Sequence, residues 1–93
     1  SMESSKPQFR KYIFVCENQR EEGACCAPQG VRLCEILKEA IQKLGLAKKV
    51  RVSWSGCLDV CAEGPNVLLM PDNLWFKYVE EKDIPSIIDR AIQ

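Results

Sequence analysis

The sequence predicts an α/β fold: a mixed four-stranded sheet, in the chain order β-α-β-β-β-α, with helices packed on it. Three observations predict it. Four short runs have strand character, two stretches repeat their apolar residues at helical spacing, and the gaps between them hold turn-forming residues. The 93 residues supply one hydrophobic core and no second one.

The first strand is the β-branched and aromatic run Tyr12, Ile13, Phe14 and Val15, which ends directly at Cys16. Residues 17–24 are polar, contain Gly23 and read as a solvated loop. Over 29–44 the apolar positions Leu33, Leu37, Ala40, Ile41 and Leu44 mark one face of an amphipathic helix, which Gly45 closes. Val50, Arg51, Val52, Ser53 and Trp54 alternate as a second strand does. Residues 56–64 carry Cys57 and Cys61 in a segment with room for a single helical turn. Residues 67–70 and 74–79 form two further strands, joined as a hairpin by Pro71, Asp72 and Asn73. Asp83 and Pro85 mark the start of a last helix with Ile84, Ile87, Ile88, Ala91 and Ile92 on one face. One parallel crossover, an antiparallel hairpin and a covering helix make a thioredoxin-like layout. Ser1 ahead of Met2 reads as a residue left by tag cleavage. Residues 1–8 are expected to be a mobile polar tail, and residues 9–93 one domain with no internal repeat or linker.

Composition narrows the chemistry. An apolar fraction of 46% excludes a disordered chain. Thirteen basic and thirteen acidic side chains cancel, so no basic field awaits nucleic acid or an anionic membrane. The apolar runs are too short to span a bilayer, and the N-terminus lacks the apolar core of an export signal, so a cytoplasmic protein is expected. The chain has six Cys and no His. Without His there is no Cys/His zinc finger, Rieske centre, His-ligated haem or His-activated nucleophile, and any metal chemistry must be thiolate chemistry.

The placement of the six thiols is more informative than their number. Loops leaving the C-terminal ends of parallel strands gather at one edge of an α/β sheet. Cys16 ends the first strand, and Cys57 and Cys61 follow the second, so all three are expected at that edge. The loop before the long helix brings Cys25 or Cys26 to them. The helix start and the turn around Cys57 and Cys61 offer backbone N–H donors to thiolates, and Gly23, Gly56 and Gly64 allow close backbone approach. Two other readings of so many cysteines stand beside a metal cluster. One is a disulfide framework, which goes with export. The other is a zinc site of four cysteines, which usually pairs two CxxC knuckles, where this chain has a single CxxxC. A CxxC redox dithiol after the first strand is absent. Cys34, beside Leu33 and near Leu37, fits a small core hydrophobe.

Cys16, then Gly23-Ala24-Cys25, then Gly56-Cys57-Leu58-Asp59-Val60-Cys61, then Gly64-Pro65-Asn66-Val67 resembles the thioredoxin-like [2Fe-2S] ferredoxins. The resemblance runs from Phe14 to the last helix and includes the Pro71-Asp72 turn and the Trp75 strand. It implies one [2Fe-2S] cluster on the thiolates of Cys16, Cys25, Cys57 and Cys61, one-electron transfer to redox partner proteins, and homodimers. Eight residues separate Cys16 from Cys25, fewer than the free-standing form leads one to expect, and neighbouring Cys26 competes for the second position. Gly-small-Cys favours Cys25. Relatives also serve as subunits of respiratory complex I and of hydrogenases, so a subunit of a larger oxidoreductase is an alternative to the free carrier. A structural zinc module on four cysteines, or a non-redox interaction module, is the other. Four thiolates around a 2+ core give a charge of about −2, and about −3 on reduction, so a potential on the order of −400 mV is expected. Partners with a basic docking patch follow from that charge. Asp59 and Glu63 read as solvated loop charges or an acidic rim, Lys48, Lys49 and Arg51 as the polar side of a turn and strand, and Trp54 and Trp75 as core packing ahead of a subunit contact.

Overall fold

The computed structural model describes residues 1–16, 27–56 and 64–93. Strands β1 (Lys11–Cys16), β2 (Val50–Ser55), β3 (Val67–Met70) and β4 (Leu74–Phe76) form one sheet in the order β2-β1-β3-β4. β1 runs parallel to β2 and antiparallel to β3, and β3 pairs antiparallel with β4. Helix α1 (Ala27–Lys43) is the crossover between β1 and β2, and α2 (Ile84–Ala91) follows the hairpin. The α/β order and mixed sheet expected from the sequence are therefore present.

Strand period divides the sheet into two unlike faces. Ile13, Val15, Val50, Val52, Val67 and Leu69 share one face and join Leu33, Leu37, Ile41, Ile84, Ile87, Ile88 and Ala91 of the helices in the core. Tyr12, Phe14, Leu68, Met70 and Trp75 lie on the other, where no described helix covers them. Four of these are half-buried and Trp75 is exposed.

Helix α1 stops because Gly45 adopts φ +72°, a conformation that costs glycine little. Its N–H then donates to the Gln42 carbonyl and that of Leu46 to the Ile41 carbonyl, each at 3.0 Å, which satisfies carbonyls the helix end leaves open. Leu44 falls outside the helix and is exposed, so it is not part of the core face the spacing assigned to it. The same holds for Ile92 beyond α2. Asp83 marks the start of the last helix from inside a 3-10 turn (Glu81–Asp83): its carboxylate accepts the Glu80 N–H at 2.9 Å, and Pro85 follows in the first turn of α2.

Other expectations need correction. The fourth strand ends at Phe76 and not at Val79, because Tyr78 turns to φ +52° and leaves the extended region. That turn buries Val79 and lets its N–H donate to the Pro65 carbonyl at 3.0 Å. Neither tryptophan is in the core. Trp54 is 60% exposed because β2 is an edge strand, and it stacks under the Lys38 ammonium, 5.1 Å from the ring centroid. Trp75 is 41% exposed on the face without helices. Lys48, Lys49 and Arg51 are exposed, as expected. Residues 1–8 are exposed and contain no helix or strand. Among the described residues, no helix is long and apolar enough to cross a membrane.

One hairpin residue does more than turn the chain. The Lys11 ammonium, in a residue only 8% exposed, donates to Asp72 Oδ1 at 2.6 Å. That hydrogen bond, ahead of the Coulombic attraction and against partial desolvation, holds the Asp72 carboxyl below its ordinary value of 3.8. A carboxylate with a lowered folded pKa stabilises the fold fully above its unfolded value and ceases to do so as pH falls through the folded one. The stability gap between wild type and Asp72→Asn, measured by urea unfolding, is accordingly expected to hold steady above about pH 5 and to narrow progressively in stronger acid. A gap that is constant into strong acid would show that the pair contributes nothing through charge.

Candidate metal centre

Cys16 closes β1 and is 1% exposed. Its backbone N–H donates to the Asn66 carbonyl at 3.1 Å, and its partner across the parallel pair is Ser55, two residues before Cys57. The chain leaves this point toward Cys25 and Cys26 and returns as the start of α1. It leaves again after Gly56 toward Cys57 and Cys61, and returns at Gly64 and Pro65 ahead of β3. Parallel β1 and β2 end here, antiparallel β3 begins here, and the crossover helix starts here. One sheet edge thus anchors both ends of both cysteine-bearing segments. Cys25, Cys26, Cys57 and Cys61, with Asp59 and Glu63, lie outside the described residues.

The two described cysteines sit in different surroundings. Cys34 is 3% exposed and belongs to the apolar core with Leu33 and Leu37, the place the sequence suggested for it. Cys16 is as deeply buried, at the end of β1 and at the sheet edge. Gly56 immediately precedes Cys57, and a Cβ there would meet no atom of the described residues within 4 Å. A sulfur-only donor set fits a soft metal site. Among the described residues alone, no three Cys, His, Asp or Glu side chains assemble into a metal site.

Two features of this edge escaped the sequence reading. Asn66 is fully buried, and its Oδ1 accepts the Trp75 indole N–H at 3.0 Å. The sequence signals are its place in Gly64-Pro65-Asn66-Val67 and a polar residue directly before an apolar strand. Beside the edge, a cleft of about 600 Å³ opens between Gln29 and Arg32 of α1 and Gly64, Pro65 and the stretch from Tyr78 to Glu81. Glu80 and Glu81 face it, and the Arg32 guanidinium lies 3.5 Å from the Glu81 carboxylate.

A thioredoxin-like sheet with cysteine-bearing segments rooted at one edge defines a class of thiolate metal proteins. No protein-family model matches the chain. It is 28% identical over 88 residues to a curated 2Fe-2S ferredoxin of Clostridium pasteurianum, covering 90% of this chain and 86% of that protein. It is also similar to the crystal structure of the wild-type thioredoxin-like [2Fe-2S] ferredoxin from Aquifex aeolicus, with TM-score 0.76 and 30% identity over 90% of this chain and 85% of the other. The chain belongs to the thioredoxin-like [2Fe-2S] ferredoxin family. An NAD+-reducing [NiFe]-hydrogenase shares the fold alone, at TM-score 0.67 and 16% identity, over 94% of this chain and 15% of that one.

Proposed function

We propose that the protein is a one-electron carrier whose single [2Fe-2S] cluster is held by the thiolates of Cys16, Cys25, Cys57 and Cys61. The observation that carries this reading is the common sheet edge at which Cys16 and the anchors of both cysteine-bearing segments meet. Family membership supports a carrier in place of an enzyme. When bound, the cluster supplies reversible one-electron exchange at four-thiolate iron. The chain's own contribution is to hold Cys16 through its N–H and offer the donors of the α1 start. The negative charge of a four-thiolate cluster at the edge suits redox partners with a basic patch. Thiolate ligation suits a reducing compartment, the cytoplasm.

The active unit in this reading is a homodimer closed through the helix-free sheet face. Tyr12, Phe14, Leu68, Met70 and Trp75 present no charge there, and the Tyr12 and Phe14 rings stack at 6.1 Å. This aromatic and apolar patch, bordered on the edge strand by the exposed Arg51 opposite Tyr12, has the composition of a homodimer core. Size-exclusion chromatography of anaerobically purified protein, with visible detection, tests both statements. The expected result is a red-brown species, bleached by dithionite, eluting at twice the chain mass. A colourless protein replete with zinc overturns the cluster, and a coloured monomer overturns the dimer alone.

A further inference from the structure

Asn66 stands where the electronics of this edge can be set without touching iron. It occupies the position opposite Cys16 where the antiparallel β1–β3 register continues beyond Val15 and Val67, and its carbonyl takes the Cys16 N–H at 3.1 Å. Its side chain is fully buried, with Oδ1 committed to the Trp75 indole N–H at 3.0 Å. In a planar amide the oxygen and the NH2 group point to different sides, so fixing the oxygen on the β4 side turns both N–H donors away from Trp75. No buried side-chain nitrogen or oxygen among the described residues lacks a partner, so those donors act inside the protein and not in water. Trp75 fixes which way round the amide sits, since the indole is a donor only and selects the oxygen.

We propose that Asn66, locked by Trp75, is a positioning residue that raises the reduction potential of the cluster. This inference rests on the cluster reading above. Asn66 holds the backbone of one ligand and keeps amide N–H dipoles at the edge where negative charge grows on reduction. Hydrogen-bond donors near cluster sulfurs favour the more negative, reduced state, and ligand orientation depends on such outer contacts. Trp75 acts one step further out, by holding the amide in its donor orientation.

The test compares holoprotein of wild type, Trp75→Phe, Asn66→Asp and Asn66→Leu by redox titration, visible and EPR spectra, and thermal unfolding of the apoprotein. Trp75→Phe keeps the ring on the sheet face and removes only the indole donor. It is expected to retain full cluster content with a more negative midpoint potential. Asn66→Asp, which replaces the N–H donors by oxygen at constant shape and adds negative charge, is expected to shift it further in the same direction, so that the loss of donors alone is read from Asn66→Leu and Trp75→Phe. Asn66→Leu, which removes both the donors and the acceptor, is expected to lie between the other two. Lower apoprotein stability with an unchanged potential in Trp75→Phe and in every loaded Asn66 variant overturns the proposal and leaves Asn66 a structural residue. Should the Asn66 variants fail to fold or load, Trp75→Phe decides alone. Wild type that takes up no iron overturns the cluster reading itself, an outcome distinct from loaded variants that do not shift.

Discussion

Replacing Cys16, Cys25, Cys57 or Cys61 singly with alanine is expected to abolish the visible chromophore and bring bound iron close to zero, while Cys26→Ala and Cys34→Ala keep both. A four-thiolate site has no spare ligand, and a soft, reduced cluster is not held by three sulfurs and water as it is by four. Alanine is the informative replacement, because a serine oxygen can itself bind iron. Cys34 supplies the internal control: it is 3% exposed in the apolar core, so its loss leaves a small cavity and costs about 1 kcal/mol of stability with no effect on iron. Cys16 is as buried but sits at the sheet edge. Two equally buried cysteines are thus expected to respond oppositely, and the difference separates ligation from packing. If Cys26→Ala loses the chromophore and Cys25→Ala retains it, the second ligand is Cys26. If Cys34→Ala loses it, the division between core and edge thiols is wrong.

How far the sequence could be read depended on what local pattern encodes. Among the described residues, periods of 2 and 3.6 placed the four strands and two α-helices, because burial on one face imposes those periods directly. The end of β4 was misread because Trp75, Phe76, Tyr78 and Val79 all have strand character, while the bend at Tyr78 exists to bury Val79 against Pro65, a contact distant in sequence. Trp54 and Trp75 were misplaced for a related reason. Size argues for burial, but exposure followed from an edge position for one and a sheet face without helices for the other, and both depend on strand order. At the site, the difference between Cys16 and Cys34 was legible, since a strand end and a helix face are both sequence patterns. The choice of Cys25 over Cys26 rests on the Gly23-Ala24-Cys25 pattern alone, and both lie outside the described residues. Asn66 was legible only as part of Gly64-Pro65-Asn66-Val67, because its side-chain hydrogen bond is to a residue on another strand.

Leu37→Ala is expected to remove about 2–5 kcal/mol from the stability of the apoprotein. Leu37 is 0% exposed near the middle of α1, within the core cluster that joins that helix to the sheet and to α2. Truncation loses the transfer energy of its isobutyl group and leaves a cavity that neighbours anchored on strands fill only partly. A domain of this size is stable by roughly 5–14 kcal/mol, so the loss takes a large share of the total and lowers the melting temperature by at least about 8 °C. Cluster binding stabilises whichever chain can fold, through linkage that depends on the edge and not on the core. The gap between holo- and apoprotein stability should therefore match wild type in Leu37→Ala, with the visible spectrum unchanged in native buffer. Urea unfolding of both forms measures it. A loss below about 1 kcal/mol would mean that α1 does not pack on the sheet through this residue. A gap that shrinks along with the loss would mean that the core and the sheet edge do not act independently, and that the cluster is held by the packing of α1 as much as by its ligands.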